Sequence, residues 1–170
     1  HNTIVATVYS NLGLSKTFAR EGGRVVITQN GDRYVLEEMR KLGVILGGEQ
    51  SGHIIFLDHN TTGDGIITAL ALLSVIRRTG ARLSELASWM EAYPQVLMNV
   101  RVRNKQALSS NFAVSQSIRR AETLLGKDGR MFVRSSGTEP LVRVLGEGPD
   151  ESLVKAAVSE VAKVIREELG

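Results

Sequence analysis

The hydrophobic positions in the first half of the chain alternate between strand-like runs and helix-like spacing. Short apolar runs predict strands at residues 4–9, 24–29, 44–46 and 53–57. Helical spacing of apolar residues predicts three helices. The first covers residues 12–20, the second begins after a cap at Asp32, and the third runs from a cap at Asp64 to Gly80. Strands that alternate with helices indicate an α/β domain, which we expect to span residues 1–92.

A proline marks the change to a second pattern. We expect a helix that starts at Ser84 to carry its apolar stripe as far as Tyr93, where Pro94 stops it. The remaining pattern predicts strands and helices in the order strand 96–103, helix 110–125, strand 130–134, strand 141–147 and helix 150–169. Ser109 and Ser110 are expected as caps of the first of these helices, and Asp150 as the cap of the last. We therefore predict an α+β domain over residues 93–170.

Composition excludes several classes of protein. The 170 residues include no cysteine, so disulfides, cysteine-ligated zinc and a cysteine nucleophile are absent. The longest apolar run, near residues 66–76, falls far short of the roughly 20 residues that span a bilayer. A net charge of +3 indicates neither a nucleic-acid partner nor a membrane surface. We expect a cytoplasmic protein.

The most informative loop lies between two predicted strands. It runs RSSGTEP from Arg134 to Pro140, and Arg143 follows three residues later. Ser136 and Thr138 offer hydroxyl donors, Gly137 would let backbone N–H groups converge in a nest, and the two arginines offer planar forks for an oxyanion. This set favours a phosphate site, and the alternative is a plain hairpin turn.

Two loops of the first half also carry polar chemistry. The loop from Gly48 to His53 holds Glu49, Ser51 and His53, which suit neighbouring sugar hydroxyls, although Glu49 could equally be solvated and His53 could simply open a strand. The loop 31–33 follows a strand and opens a helix, so its amides lie at a positive helix end unless Asp32 acts only as a cap.

A metal site is not expected from the sequence. Asp58, His59 and Asp64 stand close together, but they fit a strand end and a helix cap equally well. No serine, histidine and aspartate have a spacing that indicates a catalytic triad.

Three motifs together resemble one enzyme family. GEQSGH at 48–53, NGDRYV at 30–35 and RSSGTEP at 134–140 with LVRV at 141–144 are similar to those of the bacterial phosphoglucosamine mutases, in the α-D-phosphohexomutase superfamily. The resemblance covers essentially the whole chain and implies the third and fourth domains of a four-domain enzyme. It implies a mixed-sheet α/β domain 3 over 1–92, which binds the sugar, and a TATA-binding-protein-like α+β domain 4 over 93–170, which binds phosphate.

The resemblance also implies a reaction. Relatives interconvert glucosamine 6-phosphate and glucosamine 1-phosphate through a hexose 1,6-bisphosphate, for the synthesis of cell-wall amino-sugar precursors. Domains 1 and 2, with the phosphoserine and the Mg²⁺ loop, would lie outside this chain, so we expect no catalytic residue, no metal ligand and no activity from it alone. The full-length enzyme would use Mg²⁺ and could form a homodimer.

Roles for individual residues follow from their positions in the matching motifs. Sugar binding is implied for Gly31, Asp32, Arg33, Glu49, Ser51 and His53. Phosphate binding is implied for Arg134, Ser136, Gly137, Thr138 and Arg143. Gln50, Gly137 and Glu139 favour glucosamine over mannose or glucose, whereas Ser135 and Asn30 depart from the usual proline and valine.

Two alternatives stay open at this point. One is a phosphomannomutase or phosphoglucomutase of the same superfamily. The other is a non-catalytic module that binds anions or RNA through its arginines, although the few aromatic residues argue against RNA.

Overall fold

The computed structural model describes residues 2–170, which divide into two compact units. The first unit ends at Ala92, and the second unit is Tyr93–Gly170. The elements of the first unit are β1 (Thr3–Thr7), α1 (Leu12–Arg20), β2 (Arg24–Thr28), α2 (Asp32–Leu42), β3 (Leu46–Gly48), β4 (Ile54–Phe56), α3 (Gly65–Thr79) and α4 (Leu83–Ala87).

The first unit is built on a mixed four-stranded sheet in the order β2-β1-β3-β4. β1 runs parallel to both β2 and β3, and β4 is antiparallel to β3. Helix α2 packs on this sheet through its apolar face and forms a small core of Val5, Val35, Met39, Val44 and Ile55. The mixed α/β fold that the sequence predicts is therefore confirmed.

Strand β3 lies two residues later than the sequence predicts. It occupies Leu46–Gly48 instead of 44–46, because Val44 completes the end of α2 by donating its N–H to the carbonyl of Met39 at 2.9 Å. A Cβ at Gly47 would lie 2.6 Å from Met39 Sδ, so glycine lets the strand pass close beneath α2 at this point. Two glycines that suggest a loop are thus part of the sheet.

Helix α3 has the predicted ends and an unexpected environment. Asp64 Oδ1 accepts hydrogen bonds from the N–H groups of Ile66 at 2.9 Å and Ile67 at 3.0 Å, and Gly80 ends the helix in a left-handed conformation. None of the helix residues Gly65–Thr79 is buried. The predicted apolar stripe exists, but its centre is exposed.

The prediction of a helix that continues to Tyr93 is wrong. α4 ends at Ala87, and beyond it Trp89 packs edge-on against Phe18 of α1, with ring centroids 5.3 Å apart. Trp89 therefore makes a tertiary contact between aromatic rings instead of lying on a helical stripe.

The second unit is an antiparallel sheet packed against two helices. Its three strands are ordered β5-β7-β6, and their register places Arg134 of β6 opposite Arg143 of β7. The elements are β5 (Gln95–Arg101), a 3₁₀ helix (Lys105–Ser109), α5 (Phe112–Leu125), a second 3₁₀ helix (Gly126–Asp128), β6 (Arg130–Ser135), β7 (Leu141–Glu147) and α6 (Glu151–Leu169). The α+β organisation is as predicted.

The starts of the two long helices in this unit follow side-chain caps. Asp150 Oδ1 accepts the N–H of Leu153 at 3.0 Å, as expected. Helix α5 is capped by Asn111, whose Oδ1 accepts the N–H of Val114 at 3.0 Å, and not by Ser109 or Ser110. The two serines instead end the preceding 3₁₀ helix, so their prediction as caps is wrong.

Between residues 2 and 170, no helix is both long enough and apolar enough to cross a membrane.

Candidate functional site

The two polar loops of the first unit meet at the N-terminus of α2. The N–H of Gly31 donates a hydrogen bond to Glu49 Oε1 at 2.8 Å, although the residues are 18 positions apart. Gly31 is the N-cap residue and has φ of 128°, a conformation that favours glycine. The carboxylate of Glu49 thus lies at the positive end of a helix, where negative charge is stabilised.

This arrangement corrects the expected role of Asp32. Asp32 is the first residue of α2 and not its cap, because Gly31 occupies the cap position. The Asp32 Oδ1 atom accepts only the N–H of its neighbour Arg33, at 2.7 Å, among the described residues. Its exposed carboxylate therefore remains open to a ligand.

The loop from Gly48 to His53 is a tight hairpin tip. Its backbone is closed by hydrogen bonds from Glu49 N–H to His53 O at 3.0 Å and from Gly52 N–H to Glu49 O at 3.1 Å. Ser51 Oγ lies 3.4 Å from Glu49 Oε2 and 2.9 Å from His53 Nδ1. The three predicted sugar-binding side chains therefore form one connected polar chain.

The connected chain retains capacity for hydroxyl groups. A carboxylate offers about four lone-pair sites, of which Gly31 and Ser51 use two. Ser51 has one proton, so when it donates to Glu49 the neighbouring Nδ1 of His53 must carry a proton that it can donate to Ser51. Glu49 can accept from sugar hydroxyls while its position stays fixed.

Arg33 does not join this cluster. Its Nε donates to Glu37 Oε1 at 2.8 Å along the same helix, and its side chain is 81% exposed. The hydrogen bond and the negative charge of Glu37 raise the pKa of the Arg33 guanidinium above its ordinary value. The predicted contact of Arg33 with a sugar remains a prediction.

A cavity of about 490 Å³ opens beside Glu49. Its polar lining comes from Ser10 and Asn11, which follow β1, and from Glu49 and Gln50. Parallel sheets commonly bind ligands outside the carboxyl ends of their strands, which is where β1 ends at Thr7.

The loop between β6 and β7 is flanked by two arginines, one on each strand. Arg134 and Arg143 are directly opposed across an antiparallel pair, so their side chains leave the same face of the sheet. Like charges directly opposite each other on neighbouring strands are destabilising. The Nε of Arg143 is buried without a hydrogen-bond partner in the described chain, while its Nη2 lies 3.6 Å from Glu139 Oε2.

Ser136 stabilises the turn by hydrogen bonds inside the loop. It is 3% exposed, its N–H donates to Leu141 O at 2.8 Å, and its Oγ accepts the N–H of Glu139 at 3.3 Å. The hydroxyl proton of Ser136 has no acceptor among residues 2–170, and the predicted contact of this buried hydroxyl with a phosphate remains a prediction.

Gly137 and Thr138 lie at the exposed tip of this loop. Among the residues that the structure describes, neither of their N–H groups has a hydrogen-bond acceptor, and the Thr138 hydroxyl has no partner. The predicted nest is wrong, because Gly137 does not adopt a positive φ. The donors are nevertheless exposed, while carbonyl groups of the same loop accept hydrogen bonds from a distant side chain.

Sequence reasoning missed the residue that makes those contacts. Lys105 Nζ donates to the carbonyl oxygens of Ser136 at 2.9 Å, Glu139 at 3.3 Å and Gly137 at 3.4 Å. Ser135 Oγ in turn donates to the carbonyl of Lys105 at 3.0 Å. More than 25 residues separate the two segments, and no local pattern marks the lysine.

The described residues do not fit a metal ion. No group of three histidine, aspartate or glutamate side chains in positions 2–170 could hold one. Asp64 is engaged as the cap of α3, and its pKa is lowered chiefly by the hydrogen bond from the N–H of Ile67.

Comparison with protein families gives two matches in chain order. A family model described as phosphoglucomutase/phosphomannomutase, alpha/beta/alpha domain III, matches residues 1–93. A second, described as the phosphoglucomutase/phosphomannomutase C-terminal domain, matches residues 97–164.

Two curated relatives are phosphoglucosamine mutases. A phosphoglucosamine mutase of Carboxydothermus hydrogenoformans is 59% identical over 97% of this chain, and one of Syntrophotalea carbinolica is 52% identical over 100% of it. In both cases the chain spans only 37% of the relative.

Solved structures share the fold at low identity. N-acetylphosphoglucosamine mutase of Aspergillus fumigatus in complex with glucose 1,6-bisphosphate matches with a TM-score of 0.82 and 20% identity. The same enzyme with GlcNAc-6P and magnesium matches with a TM-score of 0.80 and 18% identity. Each match covers 97% of this chain and 38% of the other.

Proposed function

We propose, since this chain belongs to the phosphoglucomutase/phosphomannomutase family, that it is the substrate-binding C-terminal part of a phosphoglucosamine mutase. The longer protein would interconvert glucosamine 6-phosphate and glucosamine 1-phosphate through a 1,6-bisphosphate. In this proposal the first unit binds the sugar and the second unit binds the phosphate that is not being transferred.

The observation that carries the proposal is the donor set of the loop between β6 and β7. It offers the N–H groups of Gly137 and Thr138 and the Thr138 hydroxyl, together with the charge of Arg143, whose Nε is buried and has no partner in the described chain. A hydrogen bond to a charged group contributes roughly 1.5–3 kcal/mol, so these three exposed donors and the arginine charge would bind a phosphate monoester. Arg134, opposite Arg143, adds a second positive charge.

The sugar would be bound by the hairpin tip of the first unit. Glu49 is fixed by Gly31 and by Ser51, and its remaining lone pairs would accept from neighbouring ring hydroxyls. Ser51 and His53 would donate or accept beside it. Asp32, at the start of α2, would contribute a further acceptor, and the Arg33 side chain would have to leave Glu37 to reach the sugar.

The identity of the sugar rests on relatives. The curated relatives named above are phosphoglucosamine mutases at 52–59% identity, and this favours glucosamine over mannose or glucose. Peptidoglycan precursor synthesis, a cytoplasmic location and a homodimer of the longer protein belong to the same proposal.

The mechanism divides between this chain and the part of the protein that it lacks. Phosphoryl transfer is catalysed mainly by positioning and by electrostatic stabilisation of the moving group. The phosphoserine and Mg²⁺ would come from the other domains. Binding and orientation of the sugar phosphate would come from this chain, which alone would produce no glucosamine 1-phosphate.

Calorimetric titration tests the binding part of the proposal. We expect the chain to bind glucosamine 6-phosphate and to lose at least tenfold in affinity for glucosamine, which lacks the phosphate. Arg143→Met should weaken binding of the phosphosugar by about tenfold or more, and Arg120→Met, an exposed arginine of α5, is the matched control.

Three results would contradict the proposal. Equal affinity for glucosamine and its 6-phosphate would show that the chain has no phosphate site. Higher affinity for mannose 6-phosphate than for glucosamine 6-phosphate would indicate a different substrate. Tighter binding of an RNA oligonucleotide, with affinity falling steeply as salt rises, would indicate the anion-binding module instead.

A further inference from the structure

The Lys105 ammonium is surrounded by backbone carbonyls of the phosphate loop. It donates to the oxygens of Ser136, Gly137 and Glu139 at 2.9, 3.4 and 3.3 Å. A lysine ammonium has three donors, and three carbonyls occupy them. Lys105 is therefore directed to the loop backbone and has no donor left for a ligand.

Peptide geometry turns these contacts into an orientation. In a trans peptide the C=O and the following N–H point in opposite directions, and the chain contains no cis peptide. The Ser136 oxygen and the Gly137 N–H belong to one peptide, and the Gly137 oxygen and the Thr138 N–H belong to the next. When both oxygens face Lys105, both N–H groups face away from it.

The same two N–H groups are the ones without acceptors in the described chain. The loop therefore has two sides, with carbonyls gathered on the ammonium and two successive donors on the opposite side. A nest would give such convergence through a left-handed residue, and this loop has none. Lys105 supplies the alignment from outside the loop.

Lys105 is itself fixed in place. It is the first residue of a 3₁₀ helix whose cap, Asn104, accepts the N–H groups of Gln106 at 3.2 Å and Ala107 at 3.3 Å. The Ser135 hydroxyl holds the Lys105 carbonyl at 3.0 Å. The end of the loop is held to the same segment by a hydrogen bond from Val102 N–H to Pro140 O at 3.1 Å.

We propose that Lys105 is a positioning residue of the phosphate site, which holds the N–H groups of Gly137 and Thr138 toward a phosphate monoester without touching it. The inference rests on the proposed function of the loop. According to this inference, affinity for the phosphate depends on Lys105, which lies outside the RSSGTEP motif.

The test compares four proteins: the unmodified chain, Lys105→Met, Lys105→Arg and Lys155→Met. Lys155 is an exposed lysine of α6 and serves as the matched control. Glucosamine 6-phosphate and inorganic phosphate are titrated by calorimetry, and the amide protons of Gly137 and Thr138 are followed by NMR. The KM and kcat of the longer protein are measured with the same substitutions.

Removal of the ammonium should lower affinity for both phosphate ligands about 10- to 100-fold. The downfield movement of the two amide protons on phosphate addition should disappear, and KM should rise more than kcat falls. Lys105→Arg keeps the charge, but a planar fork cannot address three converging carbonyls, so its loss should be intermediate. Lys155→Met should bind like the unmodified chain.

The outcomes separate the inference from the function on which it rests. Unchanged affinity and unchanged amide shifts in Lys105→Met would overturn the inference while binding by the unmodified chain still supported the proposed function. Full affinity in Lys105→Arg with none in Lys105→Met would show that charge alone matters, which also overturns positioning. An unmodified chain that does not distinguish glucosamine 6-phosphate from glucosamine would overturn both.

A second variant covers the case in which Lys105→Met fails to fold. Ser135→Ala removes only the hydroxyl that holds the Lys105 carbonyl. It should weaken phosphate binding severalfold with the two amide protons shifted less than in the unmodified chain. Wild-type values for both would contradict the inference.

Discussion

The long helices of the two units bury their apolar faces to opposite extents. α6 in the second unit places seven residues in the interior: Val154, Ala157, Val158, Val161, Ala162, Ile165 and Leu169. α3 in the first unit has none buried, and Ile66, Leu70 and Leu73 are 75%, 61% and 59% exposed. Both helices begin at an aspartate cap, and both carry an apolar stripe.

An apolar stripe therefore defines which face of a helix can be buried, but it does not show whether a packing partner is present. In the second unit two helices and a three-stranded sheet share a core of fifteen buried residues. The corresponding core of the first unit has five. Because burial supplies most of the stabilisation, we expect the second unit to be the more stable of the two.

The largest expected contrast comes from the same substitution in the two helices. Ile165→Ala removes a side chain that is 0% exposed and should cost about 2–5 kcal/mol of unfolding free energy. Ile66→Ala removes one that is 75% exposed and should change stability by less than about 0.5 kcal/mol. Urea unfolding, followed by circular dichroism, measures both.

Equal losses of unfolding free energy in Ile165→Ala and Ile66→Ala would contradict the difference between the two helices. They would mean that α3 is covered in solution. Hydrogen exchange of the α3 amides, compared with those of α6, gives an independent measure of the same difference.

Two glycines give the next contrast. Gly47→Ala would place a Cβ 2.6 Å from Met39 Sδ and 2.8 Å from Val35 Cγ1, so it should destabilise the first unit by about 1–3 kcal/mol. A Cβ at Gly137 meets nothing within 4 Å, and φ there is not positive. Gly137→Ala should therefore fold normally and gain up to about 1 kcal/mol through the unfolded chain.

The cost of Gly137→Ala should appear in binding. A methyl group beside the free N–H groups would obstruct a phosphate, so affinity for glucosamine 6-phosphate should fall about tenfold, a loss of 1.4 kcal/mol. Thermal unfolding and titration of the same sample separate the two effects. An alanine variant with unchanged affinity would show that nothing approaches the loop at this point.

The smallest expected contrast concerns the two helix caps in acid. The pKa of Asp150 is lowered, first by the Ser152 hydroxyl and then by the Leu153 N–H, and that of Asp64 is lowered chiefly by the Ile67 N–H. A lowered folded-state pKa stabilises the protein above the ordinary value of 3.8, and this contribution is lost as pH falls through the folded pKa.

We expect this loss of stability below about pH 4. Protonation of Asp150, the cap of α6, should lower the free energy of global unfolding, whereas protonation of Asp64 should not. Asn retains a cap acceptor without the charge, so Asp150→Asn should flatten the acid decline of the urea midpoint, whereas Asp64→Asn should alter mainly local exchange in α3. If the urea midpoint of Asp150→Asn declines with falling pH as steeply as that of the unmodified chain, this assignment is contradicted.

Local signals predicted most of the elements. The caps at Asp64 and Asp150 and the glycine stop at Gly80 act over a few residues, and the structure places the helix ends there. Predictions failed where distant contacts decided the outcome. Trp89 lies beyond the end of α4 and packs on Phe18, and β3 begins later than predicted because Val44 completes the end of α2.

In the candidate site, too, local features were predictable and contacts between distant residues were not. The amino-acid sequence shows which loops carry the polar chemistry, because a carboxylate, hydroxyls and arginines near turn residues can be identified from local composition. The hydrogen bond from Gly31 to Glu49 and the contacts of Lys105 with the carbonyls of Ser136 and its neighbours are visible only in the folded structure. Such hydrogen bonds depend on how strands and helices pack, and a residue's chemistry alone does not specify which distant partner packing will bring to it.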